Sequence, residues 1–347
     1  MKPKMRVMTK KPLNAETPIK YLRSWITDNT LFFKRNQGQF ESLPEDLSNW
    51  KLSIDGLVKR KLTLNFEDIR RMPKVEVANT LECSGNSRSL LQEKASGNPW
   101  TVGGVGNAVW GGIWLKDLLE HAGLQDDARH VSFEGSDLPL GSAGIKFIRS
   151  IPLEKAINST ILAYEMNGEP LPLEHGYPLR ALALGWTGAN CVKWLHKITV
   201  LKQPYEGFFM DNVYRIFQKG EDRKSGETVK EISVKSIITD PLNGETLETG
   251  VVAIRGSAYA GEEAIKKVEV SVDDGQTWIA AKLIGIEEPY AWRHWEYIWD
   301  VRKKGDYSIM ARATDAGGHR QPESAYWNVL GYGNNGSREH AIRVKIV

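Results

Sequence analysis

Cys83 lies in the segment Thr80-Leu81-Glu82-Cys83-Ser84-Gly85-Asn86-Ser87-Arg88, at the end of a β-prone run and just ahead of turn-forming residues. Turn amides and Arg88, five residues on, would stabilise a thiolate there, which suits either a nucleophile or a soft ligand for a transition metal. The position also suits an inert thiol buried in a core. Two arginine-bearing stretches are rich in aromatics: Phe32-Phe33-Lys34-Arg35-Asn36, and the run from Tyr205 to Tyr214-Arg215. Planar guanidinium forks match small oxyanions, although each arginine taken alone also fits a surface or salt-bridged role. His175-Gly176-Tyr177-Pro178-Leu179-Arg180 sets a histidine and an arginine on one tight turn, suited to a phosphate or to a purely structural turn. Gly103-Gly104-Val105-Gly106 lacks the GxGxxG spacing and the strand–turn–helix context of a dinucleotide site. GxSxG, HExxH and EF-hand patterns are absent, and no spacing among the seven histidines singles out a catalytic base. The residues by themselves reach an anion-binding enzyme with one cysteine of interest, reactive, metal-ligating or inert.

Those residues need elements to position them, and the chain has two different grammars. Residues 1–218 mix strands such as Trp50–Ile54 and Val75–Ala78 with a helix through Leu115, Leu118, Leu119 and Ala122, stopped at Gly123. Their loops are rich in glycine, as between Val102 and Gly112. Residues 219–230 are polar and without hydrophobic period, and are read as a linker. From 231 to 347 the pattern is β. Val268, Val270 and Val272 alternate with polar residues, Asp274-Gly275 and Asn243-Gly244 mark turns, and Tyr307–Ala313 alternates again. About seven strands with short turns predict an immunoglobulin-like sandwich.

Composition bounds the function. A chain of 347 residues with 41% hydrophobic and 26% charged residues and a mean hydropathy of −0.39 can bury a core in each of two domains. A net charge of +3, without a clustered basic face, argues against nucleic acid as the partner. Two distant cysteines exclude cysteine-rich zinc sites, cysteine-ligated iron–sulfur clusters and an attached c-type haem. No apolar run of membrane-spanning length and no signal-peptide core is visible, so the expectation is a soluble, cytoplasmic protein.

In order and spacing the chain resembles the molybdenum-dependent sulfite oxidases and sulfite dehydrogenases over nearly its whole length. The resemblance rests on Phe33-Lys34-Arg35-Asn36, the segment Thr80 to Asn86 with Arg88, Trp100, Ala108-Val109-Trp110-Gly111-Gly112 and Phe133-Glu134-Gly135-Ser136-Asp137. It continues through Leu162-Ala163-Tyr164-Glu165-Met166-Asn167-Gly168, Leu171-Pro172, His175 to Arg180 and Val192-Lys193-Trp194-Leu195. In the second half it takes in Ile237-Ile238-Thr239-Asp240-Pro241, the segment Ser271 to Trp278 and Trp327-Asn328. The fold implied is an α+β molybdopterin-binding domain of the sulfite oxidase type followed by an all-β immunoglobulin-like dimerisation domain.

The resemblance implies oxidation of sulfite to sulfate by oxygen-atom transfer at a molybdenum–molybdopterin centre with Cys83 as the only protein ligand of the metal. Arg35, Arg88 and Tyr214 would line the oxyanion pocket beside Trp100, with Arg343 as a fourth member. His175, Arg180 and Lys193 would hold the pterin and its phosphate, with Phe33, Asn36 and Asp137 as further contacts. Cys191 and Val192 fall at cofactor-contact positions, where Asn190-Cys191 replaces the family's usual Arg-His and Cys191 is read as a core thiol. Gln37, where histidine often follows Arg-Asn, and Ser87, before Arg88, also depart from the pattern. With no haem in this chain, electrons would pass to an external acceptor, a cytochrome or oxygen, and the β domain implies a homodimer. The rival readings are a molybdenum enzyme for another sulfur oxyanion, nitrate or a sulfoxide, and a cofactor-free two-domain binding protein.

Overall fold

The computed structural model of the chain describes residues 4–38, 47–142 and 144–347. In the first half, the strand Val75–Glu82 pairs antiparallel with Val105–Trp114, which pairs with Thr160–Met166; the latter also takes Arg180–Ala183 and Glu169–Pro170. A second sheet runs Leu62–Leu64, Leu52–Gly56, Leu195–Leu201, His130–Gly135, Ile148–Pro152, and only its Leu52–Gly56/Leu195–Leu201 pair is parallel. The early strand thus begins two residues later than expected, and the strand leading to Cys83 runs on to Glu82.

The helix Leu115–Ala122 forms where its spacing predicts. Leu115, Leu118, Leu119 and Ala122 all face inward, and burying each leucine contributes about 1.5–3 kcal/mol. Gly123, at φ 70°, ends the helix, and its N–H donates to the carbonyls of Leu119 and Glu120. This helix packs with Leu153–Asn158 over the main apolar core, which includes Phe32, Trp100, Trp110 and Phe133.

The second half is a sandwich. One sheet orders Lys235–Asp240, Gly250–Tyr259, Arg293–Val301 and Lys282–Ile284; the other orders Thr246–Leu247, Ile342–Ile346, Gly305–Asp315, Ile265–Ser271 and Ile279–Ala280. Alternation sends Val268, Val270, Ile309, Ala311, Ile342 and Val344 into one core with Trp295 and Trp299. The Asp274-Gly275 turn has φ 59° and 85°, the backbone that Asp-Gly favours. Between the halves, Arg223–Ser225 forms one tight turn and Glu227–Thr228 pairs back on Arg215–Ile216. No helix among the described residues is long and apolar enough to cross a membrane.

The halves interlock. Leu22 and Val105 of the first pack with Ile232, Ile237, Tyr259 and Trp292 of the second, and a C-terminal segment from Trp327 to His340 returns onto the loop that carries Cys83.

Candidate active site

The strand Val75–Glu82 delivers Cys83 to the wall of a cleft that Arg35, His175, Arg180, Lys193 and Tyr214 also line. The Cys83 N–H donates to Gly104 O at 2.8 Å and its carbonyl accepts from Asn86 N at 2.8 Å, so the thiol is fixed from both sides of its peptide. Asn86 braces the loop further, donating to Glu82 Oε1 and accepting from Gly104 N, both at 2.9 Å. Burial pushes the Cys83 thiol up, while Arg35, the Gly85 N–H and Arg88 pull it down. A thiolate there depends on a cationic partner, and a bound metal supplies one.

Arg88 is buried behind this wall. Its Nε donates to Leu330 O at 2.7 Å and its Nη1 to Asn98 O at 3.0 Å. Gly85, Gly97 and Gly331 lie flat against it: a Cβ on these residues would meet the side chain at 2.5, 2.5 and 2.8 Å. Arg35 lines the cleft, with Nη1 on Asn14 Oδ1 at 3.1 Å and on the Asn36 carbonyl. Tyr214 lines it too, and its hydroxyl accepts from Gln37 Nε2 at 2.7 Å. With an acceptor site filled by Gln37, the Tyr214 proton is free to be donated to a ligand.

A second neighbourhood of the same cleft holds His175, Arg180, Cys191, Lys193 and Asp137. His175 is buried, with Nε2 3.1 Å from Asn29 O; burial, Lys193 and Arg180 hold its imidazole well below the ordinary value, and therefore neutral. Arg180 donates Nη1 to His175 O at 2.9 Å and Nη2 to Cys191 O at 3.3 Å, and its guanidinium lies 4.9 Å from the Trp110 ring centre. Burial lowers it to about 10, and its Nε has no hydrogen-bond partner among the described residues. Lys193 donates to Glu174 O at 2.8 Å and to Asn36 Oδ1. Burial lifts the Asp137 carboxyl to about 6. Burial pushes Lys193 well below its ordinary value; among the described residues neither Arg35 nor Arg180, both lining the cleft, forms an ion pair with a carboxylate, so their charges remain available to an anion.

Several expected members lie elsewhere. Trp100 is buried one layer out, its ring meeting Phe33 edge-on at 6.1 Å; Phe33 itself faces the cleft. Val192 is buried outside the cleft wall, its carbonyl accepting from Ala181 N. Arg343 is a correction: it lies on the strand Ile342–Ile346 of the second half, exposed, its N–H donating to Asn243 Oδ1 at 2.8 Å. Strand alternation explains this, because Ile342, Val344 and Ile346 point into the sandwich core and Arg343 must then point out. Cys191 is buried as expected and borders the cleft.

No local motif or spacing points to Arg149 or Tyr332. Arg149 is buried under Tyr214, its guanidinium 5.2 Å from the ring centre, and Tyr332 stacks on Tyr214 at 5.5 Å. One is an isolated arginine in a strand and the other sits in a segment without period. Gln37, Phe147, Glu174 and Trp194 also line the cleft; of these, Gln37 departs from the family pattern and Trp194 belongs to one of its motifs, while Phe147 and Glu174 carry no sequence signal.

Residues 40–209 match the model of the oxidoreductase molybdopterin-binding domain, and residues 226–345 that of the Mo-co oxidoreductase dimerisation domain. The chain is 35% identical to sulfite oxidase of Gallus gallus over 95% of its own length and 76% of that protein. The chain belongs to the sulfite oxidase family. It is 33% identical to sulfite oxidase of Arabidopsis thaliana over 99% of its length and 94% of that protein. Mammalian mitochondrial sulfite oxidases are longer, and the chain spans 64–66% of them. Among solved structures, the sulfane dehydrogenase SoxCD of Paracoccus pantotrophus superposes with a TM-score of 0.81 at 26% identity, over 99% of this chain and 91% of that one. The protein is an oxidoreductase with an N-terminal molybdopterin-binding domain and a C-terminal all-β dimerisation domain.

The donor set fits the cofactor of that family. No group of three or more histidine, cysteine or carboxylate side chains that could hold a metal occurs among the described residues. A metal beside Cys83 would take its other ligands from a non-protein group. The orphaned Arg180 Nε, with Lys193 nearby, fits an anionic tail on such a group.

Proposed function

We propose that this protein oxidises sulfite to sulfate at a molybdenum–molybdopterin centre whose one protein ligand is Cys83, passing the electrons to an external acceptor, a cytochrome or oxygen. One observation carries the reading: the buried Cys83 thiol shares its surroundings with Arg35, Arg88 and Tyr214, while His175, Arg180 and Lys193 gather elsewhere in the same cleft. The bound group supplies two-electron redox chemistry and oxygen-atom transfer. The protein does the rest. Arg180 and Lys193 hold the anionic cofactor, and neutral His175 presents a hydrogen-bonding ring without adding charge.

Arg35 and Arg88 attract a small oxyanion and offset its charge in a cleft walled by Phe33, Phe147 and Leu81. Tyr214, held by Gln37, donates its proton as a hydrogen bond and fixes the anion's orientation. The dimerisation domain supports a homodimer as the working form. The test is steady-state kinetics of Arg35→Gln with sulfite. Losing one charge-assisted contact worth about 1.5–3 kcal/mol should raise KM and lower kcat/KM by about 10- to 150-fold. Unchanged constants would remove Arg35 from the substrate site.

A further inference from the structure

Tyr332 belongs to the second domain, yet its ring stacks on Tyr214, which lines the first domain's cleft. Asn328 closes its loop, donating Nδ2 to Tyr332 O at 2.8 Å and accepting from Tyr332 N at 3.0 Å. The flanking Gly331 and Gly333 have φ of 58° and 67°, a backbone that L side chains rarely adopt. Gly331 lies against Arg88, and the Gly333 N–H donates to Ser84 O at 3.0 Å. The loop is thereby seated on the segment that carries Cys83.

The Tyr332 ring connects Tyr214, which lines the cleft, with Arg88, buried behind its wall. It stacks on Tyr214 with centroids 5.5 Å apart and planes 22° apart, and the Arg88 guanidinium lies 5.2 Å from its centre. On the Tyr214 side the run is continued by Arg149, 5.2 Å from that ring. Arg149 is fully buried; its Nη2 donates to Asn190 Oδ1 at 3.0 Å, and its Nε has no hydrogen-bond partner among the described residues. Neither arginine forms an ion pair among the described residues, so ring faces do for these cations what carboxylates do elsewhere. A carboxylate would cancel the charge that attracts an anion, and a ring face leaves it in place.

We propose that Tyr332 is a positioning residue of the oxyanion pocket, holding Tyr214 and Arg88 in the orientation that both need to face the anion. The inference rests on the sulfite-oxidising reading for its kinetics alone, because anion binding can be measured without turnover. The experiment compares cofactor-loaded, full-length Tyr332→Phe and Tyr332→Leu with the parent. It measures sulfite KM and kcat, sulfate affinity by titration calorimetry, molybdenum content and melting temperature.

The Leu variant should weaken sulfate binding and raise sulfite KM together by about fivefold to tenfold, with a smaller change in kcat and full metal content. The Phe variant, which keeps the ring, should stay within about twofold of the parent. If Leu lowers the yield of folded protein, Tyr332→Met fills the volume without a ring and serves the same comparison. A ringless variant that binds sulfate as tightly as the parent would overturn the proposal, and so would a Phe variant that falls as far as Leu. A parent that binds sulfate but leaves sulfite unoxidised would contradict the functional reading and leave the sulfate comparison decisive for Tyr332.

Discussion

Asp137 faces the same cleft as Arg35, Arg180 and Lys193, and its carboxyl is nevertheless raised to about 6, because burial outweighs the pull of Lys193. A folded-state value above the ordinary 3.8 favours the protonated form. Its contribution to stability is therefore present below about pH 4 and lost as pH rises through about 6. In the cofactor-free protein, the stability of Asp137→Asn relative to the parent should grow by about 2–3 kcal/mol between pH 4 and pH 7, read from denaturant unfolding at each pH. A difference that stays constant would contradict the assignment.

At this scale, type and local context single out Cys83 at a strand end, Arg35 among aromatics, and His175 with Arg180 on one turn, and the structure places all four on one cleft. Arg343 was misplaced because the strand's inward and outward alternation decides its direction, and no local motif reports that. Arg149 and Tyr332 were invisible because their roles arise from stacking between segments far apart in the chain.

The element that most shapes the site is the segment from Trp327 to His340, which clamps the loop Cys83–Arg88. Leu330 O accepts from Arg88, Asn334 Nδ2 donates to Ser87 O at 2.7 Å, and His340 Nε2 lies 2.8 Å from Ser87 Oγ. His340 Nδ1 donates to Gly336 O at 2.7 Å, which leaves Nε2 as the acceptor. Burial and the charge of Lys235 push His340 down to about 3. A lowered value means stability that is present above about pH 6.5 and lost as pH falls toward 3.

His340→Gln should flatten the acid limb of the stability profile across that window, where the parent loses about 4 kcal/mol through this group. Identical profiles for parent and variant would remove His340 from the clamp. Periodic elements such as Leu115–Ala122 and Gly305–Asp315 were legible in sequence, because a repeating apolar pattern is a local signal. The clamp has no period, and only its contacts define it.

For the whole molecule, the change from mixed to alternating patterning after about residue 230 marks two domains, but how they join was not legible. Their junction holds a buried charge cluster one residue from Cys83. Glu82 Oε1 accepts from Lys235 Nζ at 2.6 Å, Tyr259 Oη at 2.9 Å and Asn86 Nδ2 at 2.9 Å, and Lys235 and Tyr259 come from the second domain. Lys235→Met would strand the Glu82 charge and should cost about 3–5 kcal/mol, with part recovered by adding Glu82→Gln. Denaturation midpoints of the single and double variants give the comparison, and a single variant as stable as the parent would contradict it.

The most direct measurement is the molybdenum-to-protein ratio, with sulfite oxidation assayed beside it, for the parent and Cys83→Ser made in a host that synthesises the pterin cofactor. Near-stoichiometric metal and activity are expected in the parent, and a folded but inactive protein in the variant. A folded parent free of molybdenum, or a Cys83→Ser enzyme as active as the parent, would contradict a Cys83-ligated molybdenum centre.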